Sequence, residues 1–453
     1  MKPAANQNRA LVTAVPGPAS RRLRAREEAH LAPGAQSYAV LAGVAVERAV
    51  GSAITDVDGN TLLDFIGGIG VGSIGHSHPA WVAAVQRQAG RATVGSLASA
   101  ARVELLERLA AHAPAPGLDR FQLYSGGAEA VESALRLAKA VTGKHEVVAC
   151  WGGFHGKTLG ALSVMGSPFK RGHGPLMPGA HLVPYADCYR CPLGARYPSC
   201  GLACVELARR SIKHGTTGAI AAVIVEPMQG TAGNVIPPPE FLPAMRAIAD
   251  ENDALLIADE MITGLGRTGR WWGCNHTGVV PDIVTIGKAL GGGFPLSAVA
   301  TTRAHAAARP WADPSGSSSS FGGNPLAAAA GAATLAIIED EALVERARTV
   351  GAEMLRELAS WVDRYPFVGA VRGEGMLLAI ELVSDKATRV PLPRPITEHI
   401  FHECVRRGLL AMTYTASVRL QPPLTTDAAT AANGLAILRE VLDAARDEGW
   451  WRA

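Results

Sequence analysis

The stretch Leu255-Leu256-Ile257-Ala258-Asp259-Glu260 is an apolar run that ends in two carboxylates, and Ile283-Val284-Thr285-Ile286-Gly287-Lys288 repeats the pattern with a lysine. A third run, Ala219-Ile-Ala-Ala-Val-Ile-Val-Glu226, closes on another carboxylate. Runs that are apolar throughout, rather than alternating, suit parallel strands buried on both faces. Further strands are expected over residues 146–150 and 297–301, with helices over 128–141 and 239–252 between them. That βαβ rhythm predicts an α/β fold with a parallel sheet covered by helices. Ligands of open α/β sheets bind at the carboxyl ends of strands, so Glu226, Asp259 and Lys288 are expected to meet at one site. Singly, each reads equally well as a helix cap or one end of an ion pair. Together the three favour a site.

Outward from this core, residues 308–323 read as a loop from their Pro, Gly and Ser content. Long Ala- and Leu-rich helices follow over 325–361, then short strands over 376–382 and 418–421 and a last helix over 426–446. These form a second, smaller α/β domain.

The 453 residues are 48% hydrophobic and 18% charged, with 43 basic against 40 acidic side chains. So even a balance points to neither a nucleic-acid backbone nor an anionic membrane as partner. No apolar run approaches the ~20 residues of a membrane span. The Arg-rich first thirty residues contain Glu27 and Glu28 and no hydrophobic segment, which reads as a surface arm and predicts a cytoplasmic protein. Lysine chemistry has eight candidates only: Lys2, Lys139, Lys144, Lys157, Lys170, Lys213, Lys288 and Lys386.

Two motifs fail on mechanism. Gly70-Val-Gly72-Ser-Ile-Gly75 matches the dinucleotide string, but no acidic residue lies over 88–103, where the ribose ligand belongs. Gly152-Gly-Phe-His-Gly156-Lys157-Thr158 has three residues between its outer glycines, too few to wrap a diphosphate. His76 and His78 beside Pro79 read as capping or cofactor-shell residues rather than metal ligands.

An Asp facing a Lys beside an anion site fits pyridoxal 5′-phosphate (PLP). Its aldehyde needs a Schiff-base lysine, its ring nitrogen a carboxylate, and its phosphate backbone donors. Ser125-Gly126-Gly127 immediately before a helix supplies such donors, although the same string also reads as an ordinary N-cap.

The string Asp259-Glu260-Met261-Ile262-Thr263-Gly264-Leu265-Gly266-Arg267-Thr268-Gly269, followed by Lys288-Ala289-Leu290-Gly291-Gly292-Gly293, closely resembles the class III aminotransferases. Ordered matches over most of the chain support this: Gly75-His76-Ser77-His78-Pro79, Ser125-Gly126-Gly127-Ala128-Glu129, Phe154-His155-Gly156-Lys157-Thr158, Glu226-Pro227-Met228-Gln229-Gly230, Phe321-Gly322-Gly323-Asn324-Pro325, Val371-Arg372-Gly373-Glu374-Gly375 and Arg419-Leu420-Gln421-Pro422-Pro423.

The resemblance implies a fold-type I PLP enzyme. Its large domain, over 61–324, has a mostly parallel seven-stranded sheet. A small C-terminal α/β domain spans 325–453, and residues 1–60 form an N-terminal arm and part of that small domain. It implies Lys288 as the Schiff-base and proton-shuttling lysine, and Asp259 against the pyridinium nitrogen. Ser125, Gly126 and Gly127 would hold the phosphate, with Ser320, where the family usually has Thr, reaching it from the other subunit. Phe154 would stack on the ring, with His155, Glu226 and Met261 around it. Arg419 would bind the substrate carboxylate, with Ile69 and Lys157 as further substrate contacts. The implied assembly is a homodimer or dimer of dimers, and the implied substrates are an amino acid and a 2-oxo acid. Relatives on the same scaffold include racemases and epimerases, so an isomerase is the alternative outcome.

Two positions depart from the 4-aminobutyrate-specific pattern. Thr231 replaces a Glu that gates the arginine, and Lys157 replaces an Arg that grips a distal carboxylate. Without the gate, Arg419 favours substrates that present an α-carboxylate each time. Finally, Cys188-x2-Cys191-x8-Cys200-x3-Cys204 offers four thiols in seventeen residues, a spacing that could hold zinc or an iron–sulfur cluster, form two disulfides, or remain free.

Overall fold

The computed structural model describes residues 9–452; the start of the expected N-terminal arm, including Lys2, lies outside them. Two compact units are present. One is Ala80–Val344; the other gathers the chain up to Pro79 and from Glu345 onward.

In the second of these units the helices Pro18–Glu28 and Ser37–Ala42 come first, followed by β1 (Val46–Val50), β2 (Ala53–Asp56) and β3 (Thr61–Asp64), an antiparallel meander. The turn after β3 carries His76, whose Nε2 lies 2.8 Å from Asp64 Oδ2.

Ala80–Val344 holds seven strands: β4 (Arg120–Tyr124), β5 (Glu146–Cys150), β6 (Ala180–Val183), β7 (Ile220–Val225), β8 (Leu255–Asp259), β9 (Ile283–Ile286) and β10 (Ser297–Thr301). They form one sheet in the order β4-β10-β9-β8-β7-β5-β6. β5 to β9 pair in parallel, and the runs β5, β7 and β9 are buried at every residue, as largely apolar strands covered on both faces are. The helix Gly127–Thr142 covers this sheet with Ala130, Val131, Ala134, Leu135, Leu137 and Ala138, an apolar stripe at helical spacing. The α/β fold with a mostly parallel seven-stranded sheet is therefore as the resemblance implied.

Three details differ from expectation. β4 and β6 were not foreseen; both are edge strands, short and only partly buried, so neither carries a continuous apolar run. β10 runs antiparallel to both neighbours. Residues 287–296, which join β9 to β10, are too few for the helical crossover that parallel pairing demands.

Beyond Glu345 the chain returns to the other unit with β11 (Val368–Glu374), β12 (Leu377–Asp385), β13 (Val390–Pro391), β14 (Leu409–Leu410) and β15 (Ser417–Leu420). β12 pairs with β11, β13 and β15, and β14 adds in parallel to β3. The helix Ala428–Asp447 closes the chain and buries Leu435, Leu438, Val441 and Leu442. Among the described residues no helix is long and apolar enough to cross a membrane.

Ile257 at the centre of β8 is wholly buried in the core beneath the helix Gly127–Thr142. Ile257→Ala should therefore cost about 3 kcal/mol through lost transfer energy and a residual cavity. Denaturant unfolding checks this; an unchanged midpoint would contradict the packing described.

Candidate active site

β7, β8 and β9 are parallel neighbours, so their carboxyl ends lie side by side and carry Glu226, Asp259 and Lys288 to one edge of the sheet. Asp259 is fully buried and makes three contacts. His155 Nδ1 lies 2.6 Å from Oδ2, Thr285 Oγ1 donates to Oδ1 at 3.0 Å, and the Met261 N–H donates to Oδ1 at 3.1 Å. Burial works to raise its pKa, but the His155 bond and charge, the Lys288 charge and the Met261 amide outweigh it, so the carboxyl sits below its usual range. His155 is buried too, which favours its neutral form, yet Asp259 and then Glu226 overcome this and raise its pKa. The result is a hydrogen-bonded His155–Asp259 pair sealed from water, in which each partner favours the charged form of the other.

Glu226 ties two loops together. Its Oε1 accepts the Phe154 N–H at 2.9 Å and its Oε2 accepts the Gly230 N–H at 3.0 Å. Burial and the charge of Asp259 raise its pKa despite His155 and these amides. Glu226 thus positions the loop bearing Phe154 and His155 rather than standing alone. The Phe154 ring meets Phe169 edge-on at 5.6 Å, and Lys157 Nζ lies 4.8 Å from the Phe169 centroid.

The anion cradle at Ser125-Gly126-Gly127 is occupied in part by the chain itself. Glu129 Oε2 accepts the N–H groups of Ser125 at 3.0 Å and Gly126 at 2.6 Å. This leaves Gly127 and Ala128 to open the helix with N–H groups that have no intrahelical acceptor. Ser297 Oγ donates to the Gly126 carbonyl at 2.8 Å and fixes its orientation. Met261 fills the space between Gly127 and Gly287: a Cβ on either would meet its sulfur. Lys288 starts a 3-10 turn with φ 42°, a left-handed backbone unusual for a residue with a side chain.

Thr285, Ser297 and Glu129 hold these groups in place and were not foreseen. A threonine inside the buried strand Ile-Val-Thr-Ile was a visible signal, and so was an acid in the first helical turn. Ser297 carried none.

The chain matches the class-III aminotransferase family over residues 34–442. It is 36% identical to the 5-aminovalerate aminotransferase of Pseudomonas aeruginosa over 409 residues, covering 88% of this chain and 93% of that one. It is also 36% identical to the 4-aminobutyrate aminotransferase of Mycobacterium leprae, covering 96% and 98%. The chain belongs to the class-III aminotransferases. Among solved structures, an (S)-enantioselective omega-transaminase from Thermomicrobium roseum superimposes with TM-score 0.86 at 33% identity, covering 93% of this chain and 99% of that one. A leucine/methionine racemase from Thermococcus litoralis is more distant, 31% identical over 88% of this chain and 90% of its own.

As a class-III aminotransferase the protein is a PLP-dependent enzyme that moves an amino group from an amino acid or amine to a 2-oxo acid. The residues present fit that cofactor. A lysine at a strand end, an ionised buried carboxylate beside it and glycine amides opening a helix are the donor set PLP requires. Of the expected substrate contacts, Arg419 is a buried residue on β15, and Ile69 lies in a run of left-handed residues, Gly67 to Gly70. Ser320 is exposed in the loop before Asn324.

The expectation of zinc or an iron–sulfur cluster finds no support. Cys188, Cys191, Cys200 and Cys204 line one small cavity, about 10 Å³, but all are free thiols. Among the described residues no group of three or more His, Cys, Asp or Glu side chains is placed to hold a metal ion.

The His155–Asp259 pair predicts a pH signature. Since the folded pKa of His155 is raised above its ordinary 6.5, its contribution to stability is complete below that value and lost as pH rises through the folded one. Melting temperatures of cofactor-free wild type should fall across this alkaline-going range by more than those of His155→Asn. Parallel profiles would contradict the charged pair.

Proposed function

We propose that this aminotransferase acts on amino donors that carry a carboxylate, with Lys288 as the cofactor-bearing and proton-moving residue. The observation that carries the reading is Asp259, held ionised by His155, Thr285 and Met261 beside Lys288. Bound here, PLP supplies a conjugated ring that takes up the electron pair left when a bond to the substrate Cα breaks.

The chain's own residues do the rest. Asp259 keeps a proton on the ring nitrogen, because an ionised carboxylate in a dry site strongly favours a cation against it. The Gly127 and Ala128 amides hold the phosphate, and Ser125 and Gly126 shape that cradle through Glu129. Phe154 would stack on the ring and exclude water, and Met261 fills the space between Gly127 and Gly287. Lys288 Nζ would take the Cα proton and hand it to the cofactor side, after which hydrolysis by water would free a 2-oxo acid and leave the amino group with the cofactor; returning the proton to Cα would isomerise the amino acid instead.

Arg419 offers a planar fork to the substrate carboxylate, Lys157 a point charge to a distal acid, and Ile69 an apolar contact. The working unit is a homodimer or dimer of dimers in which Ser320 serves the neighbouring subunit's phosphate. Seven free thiols are in keeping with a reducing, cytoplasmic setting.

Two measurements test this. The PLP-loaded enzyme, given single amino acids without an oxo acid, should lose its yellow absorbance and yield one 2-oxo acid per site. Accumulation of the enantiomer with the colour retained would assign an isomerase. Arg419→Lys should raise KM for carboxylate donors roughly ten- to a hundredfold, the scale of a lost charge-assisted bond, and leave kcat closer to wild type. An unchanged KM would remove Arg419 from the substrate site.

A further inference from the structure

The loop that carries Ser320 is pinned on both sides of that residue, and by directional bonds rather than by packing alone. Trp311 seats its ring in the core under the helix Gly127–Thr142, and its Nε1–H donates to Ser133 Oγ at 3.0 Å. The Tyr124 hydroxyl donates to the Ser317 carbonyl at 2.8 Å, which leaves Ser133 to donate to Tyr124 Oη across 2.5 Å. Each proton in this chain therefore has one assignable direction: Trp311 to Ser133, Ser133 to Tyr124, Tyr124 to the backbone of Ser317. All four residues are buried. Arg136 Nη1 adds a bond to the Gly316 carbonyl at 2.9 Å.

On the other side, Gly322 and Gly323 lie so close to Leu123 that a Cβ on either would collide with it. The segment between these anchors projects: Ser318, Ser320 and Phe321 are exposed, Phe321 by 62%. The anchors stand on β4 and on the helix Gly127–Thr142, the two elements that also flank the Ser125-Gly126-Gly127 cradle. Tyr124 itself immediately precedes Ser125. The same backbone thus sets one subunit's cradle and the reach of its Ser320.

We infer that Trp311, Ser133 and Tyr124 are positioning residues for cofactor binding, acting through Ser320 by holding its loop at a fixed reach. This rests on the reading of Ser320 as a phosphate contact for a second copy of this chain. A ring-only clamp would tolerate loss of the indole N–H; a directional one does not.

The test is a double-mutant cycle on the PLP dissociation constant of the holoenzyme, measured by equilibrium dialysis. Trp311→Phe keeps the aromatic ring and removes the donor. In the wild-type background it should weaken PLP binding roughly five- to tenfold, the scale of one buried hydrogen bond. In the Ser320→Ala background it should change nothing further, although both pairs lose thermal stability alike. Equal weakening in the two backgrounds would overturn the inference, because the effect would then not pass through Ser320. So would an unaltered constant for Trp311→Phe while Ser320→Ala binds weakly. If Ser320→Ala alone binds PLP as wild type does, the phosphate reading of Ser320 fails, and the inference with it. Tyr124→Phe cuts the last bond to Ser317 and leaves Trp311–Ser133 intact; it must show the same dependence on Ser320, which keeps the test decisive should Trp311→Phe fail to fold.

Discussion

A carboxylate buried at the end of a parallel strand is costly unless it is paired and fully hydrogen-bonded, and the architecture around Asp259 meets that demand. His155 supplies the counter-charge from the loop after β5, Thr285 a hydroxyl from β9, and Met261 an amide from the turn beyond β8. Three separately connected segments must therefore sit within tenths of an ångström of one another. Glu226 extends the constraint by binding the amides of Phe154 and Gly230. Removing either partner of the His155–Asp259 pair strands a charge in a dry interior, so the site and the local fold stand or fall together. The same contacts leave Asp259 ionised, which is the property a pyridinium partner needs.

Much of this was legible because burial on both faces leaves a plain mark. The strand over residues 146–150 coincides with β5, and the runs ending at Glu226, Asp259 and Lys288 differ from β7, β8 and β9 by a residue or two at their ends. Charges at the ends of such runs have few places to go, and their meeting at one sheet edge follows from parallel pairing. Edge strands leave no comparable mark. Arg120–Tyr124 and Ala180–Val183 are half-exposed and mix polar with apolar residues, so their pairing is decided by neighbours far away in the chain. Strand direction is equally silent: Ser297–Thr301 is mostly apolar and as buried as the parallel strands, and only the short connection from β9 turns it round.

Side-chain roles were less legible than strand ends. Gly126 reads as a phosphate donor, and in the structure its N–H donates to Glu129 Oε2, a contact that spacing along the chain does not announce. Likewise, four cysteines in seventeen residues record closeness along the chain. They do share a cavity, but bonding to a metal depends on sulfur positions and ionisation that spacing does not encode. The ordered motifs from Gly75 to Arg419 carried further than any single residue, since each restricts what its neighbours in the fold must be.

With eight lysines in the chain, the central claim reduces to a single covalent question. Borohydride reduction of the PLP-loaded protein, followed by peptide mass mapping, identifies the lysine that carries the cofactor. The account predicts a pyridoxyl group on the peptide containing Lys288 and on no other. A label on Lys157, on Lys139 or on any other lysine, or a protein that acquires no label, would contradict it.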